Sequence, residues 1–149
     1  RGYWFVGDPG VGKSYKAREL FPDAYLKSQN KWFDGYAGEA TIILDDLDKG
    51  GSCLSHHLKI WSDRYCCTGE TKGGTVYLQH KRLIVTSNFT IGDLFSDCDQ
   101  VTIDAIDRRF RVYHFEKEFT TSDSPVTYGE WKVTISPPLT LTNDDEMSI

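Results

Sequence analysis

The octapeptide Gly7-Asp8-Pro9-Gly10-Val11-Gly12-Lys13-Ser14 constrains this 149-residue chain more than any other stretch. It meets the pattern G-x-x-x-x-G-K-[ST] at Gly7, Gly12, Lys13 and Ser14, and Gly10 adds a further position that lets backbone N–H groups turn inward on an anion. The apolar run Tyr3 to Val6 precedes it, and the helix-compatible run Tyr15 to Leu20 follows until Phe21-Pro22 stops it. Strand, glycine loop and helix in that order predict a cradle for a nucleoside triphosphate with Mg²⁺. Lys13 would reach the β and γ phosphates, Ser14 would give its hydroxyl to the metal, and the helix would point its positive end at the same anion.

Two later runs fit the same chemistry. Thr41-Ile42-Ile43-Leu44 is a continuous β-branched and apolar stretch ending in Asp45-Asp46, as expected of a strand buried on both faces of a parallel sheet with its carboxylates at the C-terminal edge. By position Asp45 is the magnesium carboxylate. Asp46 is the candidate to orient or deprotonate an attacking water, a task that needs a carboxylate within one water of the γ-phosphate. Leu83-Ile84-Val85-Thr86-Ser87 is a second buried run, and its terminal Asn88 can hydrogen-bond the γ-phosphate or that water. A strand-terminal Asn carries little weight by itself, because turns favour it; its order after the other two motifs makes it informative.

Between and beyond these runs the pattern is α/β. Ala24 to Lys27 reads as a short strand, Asn30 to Gly38 as an aromatic and glycine-rich loop, Leu54 to Tyr65 as a helix, and Gly69 to Leu78 as a loop or hairpin. Ile103 to Arg109 reads as a helix and Arg111 to Phe115 as a last strand of alternating character. Strands alternating with helices imply one α/β domain over residues 1–119. From residue 120 to 149 the composition turns to Thr, Ser, Pro and acid, a peripheral or partly disordered tail. The opening residues already read as a core strand, so the natural protein is expected to begin upstream.

Residues 116–149 carry the whole net charge of −5 and residues 1–115 are balanced, with a local +3 between Lys59 and Arg82. That modest basic patch keeps a nucleic-acid partner open despite the acidic total. No apolar run approaches the roughly 20 residues that span a bilayer, so no membrane partner is expected. Cys53, Cys66, Cys67 and Cys98 form no C-x-x-C pair and no zinc spacing, which points to free thiols in a reducing compartment. Adjacent His56 and His57 read as helix-surface histidines.

With these motifs together, the chain resembles the superfamily 3 helicase domain of the replication initiator (Rep) proteins of small circular single-stranded DNA viruses. The resemblance rests on residues 7–14, the NKWFDGY run at 30–36, residues 42–46, Asp63-Arg64-Tyr65, the ETKGGT run at 70–75, residues 84–88 and Arg108-Arg109, and it covers most of residues 1–115. It implies a P-loop NTPase of AAA+-like type, a mostly parallel central sheet flanked by helices. It further implies an ATPase that assembles as a homo-hexamer ring and translocates on single-stranded DNA in the host nucleus. Residue by residue, it supports Lys13, Ser14, Asp45 and Asp46 in the roles given above and makes Asn88 the γ-phosphate sensor. It places a channel-facing lysine near 70–75, hence Lys72 as the DNA contact, with Lys81 and Arg82 as weaker candidates. Arg108 or Arg109 falls where the family has an arginine finger acting on the neighbouring subunit. A nuclease domain is expected upstream.

Two rival classes fit less well. A regulatory GTP switch needs N-K-x-D, whereas Asn30-Lys31-Trp32-Phe33 puts Phe at the acidic position and comes before the Mg²⁺ strand. A dinucleotide-binding oxidoreductase does not require the Lys-Ser pair and spaces its glycines differently. A nucleotide-dependent assembly or packaging protein that moves no DNA strand is the second reading that survives.

Overall fold

The computed structural model describes residues 1–65, 67–117 and 131–136. Its six-stranded sheet runs in the order β2 (Tyr25–Lys27), β3 (Thr41–Leu47), β6 (Arg82–Ser87), β1 (Gly2–Gly7), β7 (Phe110–Lys117), β8 (Trp131–Ser136). The first five are parallel and only β8 runs against its neighbour. A separate antiparallel hairpin, β4 (Cys67–Thr71) and β5 (Gly74–Leu78), is inserted between β3 and β6.

Period-two alternation explains why the strand runs are apolar throughout. On one face, Tyr3 and Phe5 of β1, Ile43 of β3, Ile84 of β6, and Tyr113 and Phe115 of β7 pack with Val11 and with Ala17 of α1 (Lys13–Leu20). On the other, Trp4, Val6, Ile42, Leu44, Leu83, Val85 and Phe110 meet α2 (Ser55–Trp61), α3 (Ile91–Leu94) and α4 (Gln100–Asp107) through Leu58, Trp61, Leu94 and Ile106. A sheet covered on both faces has no room for a polar side along its central strands.

The helix start at Lys13 depends on glycine. Gly10 and Gly12 lie at φ 82° and 87°, the left-handed region that side chains with a Cβ rarely adopt. At Gly7 a Cβ would sit 2.4 Å from the carbonyl oxygen of Phe115, so the loop can leave β1 against β7 only without one. Helices α3 and α4 are capped by Thr90 and Asp99, whose side chains accept from the N–H groups of Asp93 and Thr102.

Several expectations change. The segment 69–78 is a true hairpin. Helix α4 begins at Gln100, three residues earlier than Ile103, because Asp99 caps it, and α3 was not expected at all. The acids Asp45 and Asp46 fall at the C-terminal end of β3 as expected, and the strand runs one residue further, to Leu47. Residues 131–136, expected in the tail, form strand β8 along β7 with Trp131 opposite Lys117. The rest of the expected tail lies outside the described residues.

Candidate functional site

Parallel pairing of β3, β6 and β1 side by side brings the three motifs to one place. Their C-terminal ends share an edge, so Asp45-Asp46, Asn88 and the glycine loop converge although they lie about forty residues apart in sequence. The crevice there is an open pocket of about 460 Å³ lined by Pro9, Gly10, Gly12, Lys13, Ser14, Tyr15, Asp46, Leu47, Asp48 and Asn88.

Within it Lys13 is buried, and its Nζ donates to the carbonyls of Gly7 at 2.6 Å and Asp8 at 2.9 Å and to Asn88 Oδ1 at 2.9 Å. Burial lowers its pKa, against the pull of Asp46, Asp8 and Asp45. The ammonium is thus held on three neutral oxygens at the mouth of the loop, where an anionic phosphate would be a stronger partner.

Asp45 is the hub of the opposite wall. Its Oδ1 accepts from Ser14 Oγ at 2.5 Å and from Thr86 Oγ1 at 2.6 Å, and its Oδ2 accepts from Arg18 at 3.2 Å. Burial by itself would raise the Asp45 pKa, but the two hydroxyls and the guanidinium outweigh it and hold it below the usual carboxylate range. The donor set of a hydroxyl and an ionised carboxylate on adjacent walls suits Mg²⁺, a hard cation that takes oxygen ligands.

Asp46 owes its position to a bulge. The β3–β6 register pairs Leu44 with Val85 but Leu47 with Ser87, leaving one extra residue on β3. Asp46 takes φ 52°, unusual for a residue with a side chain, and Thr86 Oγ1 accepts its N–H at 2.8 Å. The bulge turns the Asp46 carboxylate out into the pocket while Asp45 stays half-buried beside Ser14. Thr86, which the sequence reading treated as one strand residue among several, therefore ties both acids to β6. Arg18 was likewise missed: its pairing with Asp45 spans 27 residues and carries no local signal.

The other candidates are placed elsewhere. Lys72 sits at the turn of the β4–β5 hairpin with an exposed side chain, its N–H donating to Asp34 Oδ1 at 3.1 Å. Arg82 begins β6 and Lys81 immediately precedes it, at the opposite sheet edge from the pocket. Arg82 is engaged there, donating to Thr41 Oγ1 at 3.3 Å and lying over the Phe21 ring at 4.8 Å. Arg108 and Arg109 also lie at that far edge, since a Cβ on Gly2 would touch the Arg109 carbonyl and the phosphate loop starts five residues further along β1. At about 3.3 Å per residue that is roughly 16 Å, beyond the reach of either side chain to its own pocket. Arg108 is exposed; Arg109 donates to the Ala105 carbonyl at 2.7 Å and pairs with Asp63 at 3.7 Å. Cys53, Cys67 and Cys98 are free thiols, and the His57 ring packs 5.3 Å from Trp61 on α2. Among the described residues no helix is long and apolar enough to cross a membrane.

A family model described as RNA helicase matches residues 3–89, which span the loop, both acids, the hairpin and Asn88. The chain belongs to the RNA helicase family. Similar proteins include the replication-associated protein of Porcine circovirus 1, 37% identical over 139 residues, 91% of this chain and 44% of that protein. That of Goose circovirus is 39% identical over 110 residues, 72% of this chain and 36% of its own length. A replication protein of Onion yellows phytoplasma is 32% identical over 99 residues, 63% of this chain and 26% of that one. The circovirus relatives bear out the resemblance read from the motifs, and the α/β sheet of this RNA helicase family member is the one expected of a P-loop NTPase. The chain spans less than half the length of these relatives.

Proposed function

We propose that this chain is the ATP-hydrolysing motor domain of a viral rolling-circle replication initiator, coupling hydrolysis to movement on single-stranded DNA in the host nucleus. The observation that carries the reading is the pocket wall in which Ser14 and Thr86 converge on Asp45 while Lys13 meets Asn88. The relatives' names supply the replication context, and the hairpin lysine supplies a contact for a phosphate backbone.

In this reading the γ-phosphoryl group of ATP replaces the carbonyl partners of Lys13, and Ser14 and Asp45 hold Mg²⁺, which neutralises phosphate charge. Asp46, turned into the pocket by the bulge, accepts the proton of the water that attacks the γ-phosphorus as the bond to the β–γ bridging oxygen breaks. Asn88 orients that water or a γ oxygen. The remaining charge of the transition state calls for a cation, and Arg108, exposed at the end of α4, lies too far from its own pocket to serve it. A ring, taken here as a homo-hexamer, brings Arg108 of one subunit toward the pocket of the next.

The decisive experiment compares ATP hydrolysis with and without single-stranded DNA in a ring-forming preparation. Stimulation by DNA is expected. An unstimulated ATPase would favour the assembly or packaging reading instead.

A further inference from the structure

The pocket and the hairpin are joined by a short stretch of chain that neither catalysis nor DNA binding explains. At the pocket end, Asp48 is gripped twice by Gln29. Its N–H donates to Gln29 Oε1 at 2.9 Å, and its Oδ1 accepts from Gln29 Nε2 at 2.9 Å. Asp48 Oδ1 also accepts from the Gly50 N–H at 2.9 Å. The Gln29 side chain packs against the 3-10 helix Lys49–Leu54, so close that a Cβ on Gly51 would be 2.9 Å from Gln29 Cγ and Cδ.

At the other end the same segment is fixed to the hairpin. Trp32 bridges Glu70 in parallel, the Phe33 N–H donates to the Glu70 carbonyl at 2.9 Å, Lys31 pairs with the Glu70 carboxylate at 2.9 Å, and Asp34 holds the Lys72 N–H. A Cβ on Gly69 would meet the Phe33 ring at 2.6 Å, so strand β4 lies directly on that ring. Between the two ends, buried Lys27 keeps the stretch from flexing. Its Nζ donates to the carbonyls of Asn30 at 2.5 Å and Trp32 at 2.7 Å and sits over the rings of Phe33 and Trp61.

We infer that residues 29–34 form a stiff strap between the wall of the phosphate pocket and the β4–β5 hairpin, and that Gln29 is the positioning residue that couples the strap to the pocket. A shift of the 46–48 segment when a nucleotide enters moves Asp48, hence Gln29, and a segment stiffened by Lys27 passes that shift to Glu70 and Lys72. The inference rests on the proposed motor function, since the strap has a purpose only if the hairpin meets DNA. Gln29 itself touches neither nucleotide nor DNA.

The test is a linkage measurement on the whole chain, by fluorescence anisotropy of a labelled oligodeoxythymidylate with and without Mg²⁺ and a slowly hydrolysed ATP analogue. In the unaltered chain the analogue should change DNA affinity by a factor in the range of about 5 to 150, and DNA should change analogue affinity by the same factor. Gln29→Met keeps the packing on Gly51 and removes both hydrogen bonds to Asp48. It should bring the factor to within about twofold of unity while leaving the affinity for DNA without nucleotide, and for analogue without DNA, as they were. Gln29→Glu keeps an acceptor for the Asp48 N–H but sets a carboxylate against Asp48 Oδ1, and should lose linkage as well. Retention of the full factor in both variants would overturn the strap and leave the motor reading standing. A loss of DNA affinity in the absence of nucleotide would also overturn it, by making Gln29 a prop for the hairpin. If the unaltered chain binds both ligands with no linkage at all, the motor reading fails and takes the strap with it.

Discussion

The carboxyl edge of the sheet and the hairpin beside it are built on opposite plans. At the sheet edge, Lys13, Ser14, Asp45 and Asn88 are already bonded to one another or to the loop, and the strands beneath them are buried on both faces. In the hairpin, Lys72 is anchored through its backbone and its side chain is exposed, at the turn that follows a strand of small and polar residues, Cys-Thr-Gly-Glu-Thr. A site that handles developing charge gains from groups fixed in advance, because nothing need reorganise during the reaction. A contact that must follow a moving strand gains from exposure and from being hung on a separate element.

The largest effect that tests this contrast is on the fixed side. Lys13→Ala should bring ATP hydrolysis to background while the melting temperature changes little, since Lys13 is bonded to three neutral oxygens and leaves none of them charged and unpaired. Hydrolysis at the native rate, followed by phosphate release, would show that the sheet edge is not the reactive half.

The two arginines come next, and here the geometry distinguishes what the sequence left equal. Arg109 is occupied by Asp63 and the Ala105 carbonyl, whereas Arg108 is exposed at the end of α4. In ring-forming protein Arg108→Ala should lower hydrolysis by about 10³-fold or more, as expected of a finger acting in trans. Arg109→Ala should leave hydrolysis nearly intact and cost no more than about 1 kcal/mol of stability, because its ion pair is half-exposed. The reverse result in steady-state assays would exchange their roles.

Acid should loosen the hairpin side first. His80, which follows β5, is buried, and burial depresses its pKa to about 4 from an ordinary 6.5 even though it bonds the Trp61 carbonyl at 2.6 Å. A carbonyl only accepts, so Nε2 carries the proton in that bond, and the buried Nδ1 has no partner among the described residues to welcome a second one. Between pH 6.5 and 4 the unfolded chain therefore binds a proton that the folded chain refuses. The stability this group contributes is fully present above pH 6.5 and is lost as pH falls toward 4, by about 3 kcal/mol in all at roughly 1.4 kcal/mol per pH unit. Chemical denaturation across that range checks it, with His80→Phe expected to flatten the slope.

How much of this was legible in advance follows the same division. The three strand runs at the sheet edge stood out because a doubly covered parallel strand must be apolar at every position, and the motifs at their ends inherited that clarity. The bulge that separates Asp45 from Asp46 left no mark, since it exists only in the register against β6, and Thr86 hid in a run of residues that suit any strand. Strand β4, reading Cys-Thr-Gly-Glu-Thr, has neither alternation nor bulk, because much of its inner face is a glycine lying against Phe33. Strand β8 was lost among prolines and acids, although Trp131, Val133 and Ile135 alternate with Lys132, Thr134 and Ser136: the composition around it drew the whole stretch into the tail.

The smallest effect tests the exposed side most directly. If Lys72 meets a backbone phosphate, each contact releases counterions, and the logarithm of DNA affinity falls linearly with the logarithm of salt concentration. Lys72→Ala should weaken binding to oligodeoxythymidylate and reduce that slope by about 0.7 to 1, the share of one phosphate on a single strand. Lys81→Ala, at the opposite sheet edge from the pocket, should change the slope far less. Anisotropy titrations over a range of salt would separate the two, and equal slopes for Lys72→Ala and the unaltered chain would move the DNA contact off the hairpin turn. The contrast between a fixed pocket and a presented lysine would then have to be redrawn around whichever exposed cation does carry the slope.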